Sequence, residues 1–221
     1  MGWFTRFSRF GDFHLVYGQE AQNSCGIASV MMCVFKVNKL KPGKKAVHVE
    51  TEVYKAYDKH LAGSSVDDGY VYDGSVYTYA GLLADTLNDL NVGKWEAKNV
   101  GTTAVAQTIV DSVGKEYVGA GPIVNTYLHG YPIIVLVNWS GGMGGHFVVV
   151  DTVNVFGRRI YASVCDPWDA DVHITPLTIS TPFEYVAKKQ KTSWSFGGKK
   201  FSYPSQSEGT VQGWVIRRVG D

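Results

Sequence analysis

Apolar positions recur with a helical spacing through the first part of the chain and with a strand-like spacing through the last. From Cys25, the residues Ile27, Val30, Met31 and Val34 fall three and four apart, which is the helix period. Ala28, Met32, Cys33 and Phe35 fill much of the opposite side, so the spacing predicts a helix buried nearly all round. Asn23 or Ser24 is placed to cap its start, and the lysines and Pro42 of "KVNKLKPGKK" end it. A second helix is predicted within Val49 to His60. The stretch "AGSSVDDGYVYDGSVYTY" reads as an exposed loop. "YAGLLADTLNDLNVG" is amphipathic with a glycine stop, and "TAVAQTIVDSVG" and "PIVNTYLHG" read as two further helices.

Beyond residue 130 the pattern becomes β-branched. "YPIIVLVNW" and "HFVVVDTV" are strand-like runs separated by the glycine-rich "SGGMGG", and "RRIYASVCDPW" follows the turn "NVFGR". "GWVIRRV" supplies at least one more strand. Helices first and strands later predict an α+β protein whose halves pack against each other. The length, 221 residues, suits a single domain over 1–221, with a helical part at about 20–130 and a sheet part at about 131–221.

Composition narrows the function. A formal net charge of +1 offers no field to recruit nucleic acid, and the lysine clusters at 39–45 and 188–191 are short enough to be solvated surface. No run reaches the length of a membrane span, and the N-terminal stretch lacks the apolar core of a secretory signal. Three irregularly spaced cysteines suggest neither a disulfide framework nor a zinc site. No cofactor and no metal are therefore expected.

Cys25 stands where a polar run, Gln19 to Ser24, meets the apolar helix. A helix N-terminus, a nearby imidazolium and partial exposure are the devices that make a thiol nucleophilic, and this position supplies the first. The helix end contributes only about 0.3–1 kcal/mol, so a base is required. Of the six histidines, His146 has the most suitable context, following a glycine loop and opening the strand "GGHFVVV". His14, His48, His60, His129 and His173 lie in polar or amphipathic stretches. An imidazole base is oriented through its other nitrogen. In a hairpin turning near Asn154 to Arg158, the end of the second strand returns beside the start of the first, which brings Asp166 to His146. Asp151 is a rival, but five residues along the strand it points to the other face.

These segments, "QEAQNSCGIASVM", "GGHFVVV" and "CDPW" in that order, resemble papain-like cysteine peptidases. The resemblance is to the bacterial branch that includes leader-peptide peptidases of bacteriocin exporters and related effector and staphopain-type proteases. It implies a two-lobed fold, with the family's glutamine, nucleophile, base and orienting acid at Gln19, Cys25, His146 and Asp166. Gln19 and the Cys25 backbone N–H would then stabilise an oxyanion, with Gln22 as the weaker candidate donor. The plant and lysosomal signature around the nucleophile is absent, and residues 40–130 have no counterpart.

The expectation is thus a thiol peptidase acting on a protein or peptide, either cytoplasmic or delivered as a bacterial effector or toxin by a route that needs no signal peptide. The same constellation serves amidases, isopeptidases and acyl transferases. A catalytically idle papain-like binding module, with Cys25 a packed thiol and Gln19 a loop amide, is the reading from another class.

Overall fold

The computed structural model describes residues 2–39, 50–63, 72–114, 125–126, 130–139, 144–186, 194–195 and 208–221. In chain order they form β1 (Trp3–Phe7), β2 (Phe13–Tyr17), α1 (Cys25–Lys39), α2 (Glu50–Ala62), α3 (Ala80–Asp89), β3 (Lys94–Asn99), α4 (Val105–Val113), β4 (Asn125–Thr126), β5 (Ile133–Trp139), β6 (Gly145–Phe156), β7 (Arg159–Asp166), β8 (Asp171–Leu177), β9 (Glu184–Val186), β10 (Trp194–Ser195) and β11 (Glu208–Gly220). A short 3-10 turn, Thr102–Ala104, leads into α4. The protein is α+β. Its main antiparallel sheet runs β3-β11-β5-β6-β7-β8, with β4 also on β6 and β9 also on β11, and a smaller sheet runs β10-β1-β2.

The sheet is covered on both faces, which is why β5 and β6 read as unbroken apolar runs rather than as alternation. Phe147, Val149 and Cys165 join Ile27, Met31 and Val34 of α1 in one buried cluster. Val148, Val150 and Val164 join Val105, Ile109 and Val113 of α4 in the other. Alternate residues of a strand face opposite ways, so β6 serves both cores.

The α1 helix starts at Cys25 as the spacing predicts, and the helix predicted within 49–60 is α2. The predicted hairpin also forms, with Phe156 paired to Arg159 across a turn in which Gly157 has φ +62°. Four expectations need correction. The "PIVNTYLHG" helix does not hold at its described pair: Asn125–Thr126 is an edge strand on Val155 and Asn154 of β6, and residues 122–124 and 127–129 lie outside the described residues. The helix at 79–93 stops before its glycine, because Asn91 takes a left-handed conformation, φ 55°, and its N–H bonds the Asn88 carbonyl. The loop before it is not wholly exposed, since Tyr72 and Thr78 are buried; residues 64–71 lie outside the described residues. Nor do the strands wait for the last third of the chain: β1 and β2 precede α1, and β3 inserts between α3 and α4 to pair with β11.

Candidate active site

Cys25 opens α1. The residue before it, Ser24, accepts the first helical hydrogen bond, from the Ala28 N–H at 2.9 Å. The Ser24 hydroxyl ties down the loop instead, accepting from the Ala21 N–H at 3.2 Å and donating to the Ala21 carbonyl at 3.1 Å. Gly26 is required beside the nucleophile by packing: a Cβ there would stand 2.1 Å from Thr78 Oγ1 and 2.7 Å from Leu83 Cδ1. The absence of a side chain lets the start of α1 press against the 72–79 segment and α3.

His146 is the second residue of β6 and pairs with Val137. Val149 pairs with Cys165, and continuing that register by one residue sets Val148 opposite Asp166. His146 and Asp166 are thus diagonal neighbours on one face. The imidazole Nε2 meets Asp166 Oδ1 at 2.7 Å, both side chains being buried. Asp166 Oδ1 also accepts the Trp168 N–H at 2.8 Å. With Nε2 engaged, Nδ1 is the ring nitrogen left for the Cys25 side chain, which hydrogen-bonds the imidazole. Burial pulls the His146 pKa down, but the charge and hydrogen bond of Asp166, helped by Cys25, outweigh it and carry the imidazole up to about 10. Imidazolium is therefore its resting form at neutral pH.

Gln19 is 3 % exposed. Its Nε2 donates to the carbonyls of Ala21 and Gln22, each at 2.8 Å, while its Oε1 is buried without a partner. Both amide hydrogens are thus engaged within the loop, and donation to a reacting group requires one to be shared or redirected. Gln22 is exposed.

Asp151, the rival acid, is held by His14 Nδ1 at 2.9 Å and by the Lys36 ammonium at 3.3 Å. Burial would raise its pKa, but these two partners, by charge and hydrogen bond, hold it well below the usual carboxylate range. It borders a separate cavity of about 150 Å³ with Lys36 and Cys165. Among the other histidines, His60 faces Asp89 at 3.2 Å and His173 faces Asp169 at 2.7 Å; His48 and His129 lie outside the described residues. Two groupings, His14 with Asp151 and Cys165, and Asp166 with Asp169 and His173, hold potential metal-ligating atoms within 4.8 Å. In each a carboxylate is already bonded to an imidazole.

A cleft of about 400 Å³ opens at Cys25, with Tyr77, Thr78, Leu136, Phe147, Gln212 and Trp214 among its walls. None of its described lining residues is charged. Tyr77, Tyr79 and Trp214 are exposed aromatics at its edge.

One participant was not legible beforehand. Glu50, the first residue of α2, is 2 % exposed and accepts from Tyr54 Oη at 2.8 Å, the Glu20 N–H at 3.2 Å and Tyr17 Oη at 3.3 Å. It fastens the loop that carries Gln19 and leads into Cys25. A glutamate in a first helical turn reads as ordinary dipole compensation, and nothing in its neighbours distinguishes it.

Compared with models of known protein families and with curated proteins, the chain matches none. Among the described residues no helix is long and apolar enough to cross a membrane.

Proposed function

We propose that the chain is a thiol peptidase with the papain-like arrangement that its motifs resemble. The observation that carries the reading is the bonding of His146: Asp166 on Nε2 at 2.7 Å and the Cys25 side chain as its other partner, at the end of a helix that borders an open cleft. A nucleophile within reach of a base, with the base oriented by a third group, is the general signature of covalent catalysis.

In this reading the Cys25 sulfur, its proton held by His146, attacks the scissile carbonyl. The resulting oxyanion is met by the Cys25 N–H and, after release from the loop carbonyls, by the Gln19 amide. His146 passes its proton to the departing amine as the C–N bond breaks, leaving a thioester on Cys25. Water, deprotonated by the same imidazole, hydrolyses the thioester and restores the thiol. Asp166 keeps the ring orientation through both halves. The uncharged aromatic cleft favours an extended segment with apolar side chains.

The test is turnover of a mixed peptide library, with Cys25→Ala as control. Cleavage by the native protein alone supports the reading. Turnover surviving in Cys25→Ala, or no turnover of any peptide alongside an unreactive Cys25, overturns it and leaves an idle binding module.

A further inference from the structure

The β7–β8 hairpin holds more buried charge than an orienting acid requires. Asp166 ends β7 and pairs with Asp171 at the start of β8, and the turn between them brings in Asp169. Asp169 Oδ2 lies 2.7 Å from His173 Nε2, and its Oδ1 accepts the Asp171 N–H at 2.8 Å. A carboxylate oxygen of Asp166, one of Asp169 and a ring nitrogen of His173 all lie within 4.8 Å of one another. All three residues are buried, at 0 %, 4 % and 2 % exposure. His146, Asp166, Asp169 and His173 therefore make a continuous buried chain of alternating character: imidazole, carboxylate, carboxylate, imidazole. Among the described residues, Asp171 on β8 also faces it and is paired with Arg6 of β1 at 3.2 Å.

Two buried carboxylates this close cannot both stay ionised without a cation for each, and the usual outcome is a shared proton. His146 is the cation for Asp166. We propose that the Asp169–His173 pair is a positioning device for the active site: the His173 imidazolium holds the charge of Asp169, and so leaves Asp166 fully ionised as counter-ion to His146. The inference rests on the Cys25–His146–Asp166 reading above. Burial raises the Asp169 pKa, the His173 charge lowers it and the Asp166 charge raises it again, to about 6. Burial lowers the His173 pKa, but Asp169 and Asp166 raise it overall.

The electrostatic role makes a prediction that simple packing does not. Removing the cation alone, in His173→Gln, strands Asp169 as an uncompensated anion beside Asp166; a proton then settles between them, and His146 loses part of its counter-ion. Removing both charges, in Asp169→Asn with His173→Gln, abolishes the conflict while keeping shape and polarity. The readout is the rate of Cys25 alkylation by iodoacetamide across about pH 5 to 10, with adducts mapped by mass spectrometry. His173→Gln should lower by about one pH unit the point on the alkaline side at which the His146-dependent part of the reaction is lost, the equivalent of one pKa unit at the base, and the double variant should recover most of that shift. Equal pH profiles in His173→Gln and the native protein overturn the proposal. So does a double variant shifted as far as the single one, since that is a packing defect. A native rate indifferent to His146→Ala instead removes the peptidase reading itself. Should His173→Gln fail to fold, histidine ring NMR on the unmodified protein decides: coupled two-step titration of His146 and His173 supports the chain, and two independent curves overturn it.

Discussion

The backbone N–H of Gln19 donates to the carbonyl of Pro167 at 2.9 Å. That single bond joins the loop before the nucleophile to the turn after the orienting acid. Gln19 and Asp166 are far apart in sequence, but the bond fixes one against the other.

Replacing Gln19 tests which group meets the oxyanion. Gln19→Ala should lower kcat by about 10²–10³, the usual effect of losing one donor, while the Pro167 bond, made by the backbone, survives. An unchanged rate assigns the role to the Cys25 N–H alone, as the engaged Nε2 hydrogens would then suggest.

Glu50→Ala leaves Tyr54 and the Glu20 N–H without their buried acceptor, while Tyr17 keeps its bond to Glu20 at 2.7 Å. The expected cost is about 1–3 kcal/mol of stability, measured by urea unfolding, together with slower peptide turnover as the loop loosens. Glu50→Gln keeps an acceptor and should fall between Ala and native in both. Full stability in Glu50→Ala would remove the anchoring role.

Gly26→Ala should overpack the start of α1 against Thr78 and Leu83. Overpacking costs about 1–3 kcal/mol, read as a lower Tm, and the displaced Thr78 narrows the cleft. A second change, Thr78→Ala, removes the clashing hydroxyl and should return part of the loss; no return would place the strain elsewhere.

The pH dependence of stability follows from His146. Its folded pKa is raised from 6.5 to about 10, so its interaction with Asp166 contributes fully below about pH 6.5 and is lost as pH climbs through about 10. Thermal melts should show the native protein losing more stability than Asp166→Asn between those limits. Parallel curves for the two proteins would show that the interaction does not carry it.

Cysteine labelling discriminates among three thiols. Burial, with the nearby charge of Asp151, pushes the thiols of Cys33 and Cys165 well above their ordinary values. Only Cys25 borders the cleft, and it should be alkylated first at about pH 6. Earlier modification of Cys33 or Cys165 would contradict this.

The start of α1, the β6–β7 hairpin and the meeting of His146 with Asp166 were legible because each rests on local pattern: a helix period, a turn signal and a strand register. The N-terminal strands were not, because their burial inverts their polarity. Arg6 and His14 are buried while Phe13 is 47 % exposed, polar contacts with Asp171 and Asp151 standing where apolar ones would be expected. Strand β3, "KWEAKN", offers the core only Trp95 and a partly buried Ala97, too little for a period to show. Asp169 and His173 escaped for a related reason: a carboxylate in a turn and a histidine in a strand acquire meaning only when folding buries them together.

The double covering of β6 bears on how the molecule opens. Amides in a strand packed on both faces exchange with solvent only when large parts of the fold come apart, whereas loops held by a few hydrogen bonds open in small excursions. On that ground the strand that carries His146 is expected to exchange slowly and the loop that carries Gln19 faster. Deuterium uptake should divide the site in two, with the proton carrier permanently in place and the loop before the nucleophile opening and closing against it many times within each lifetime of the sheet.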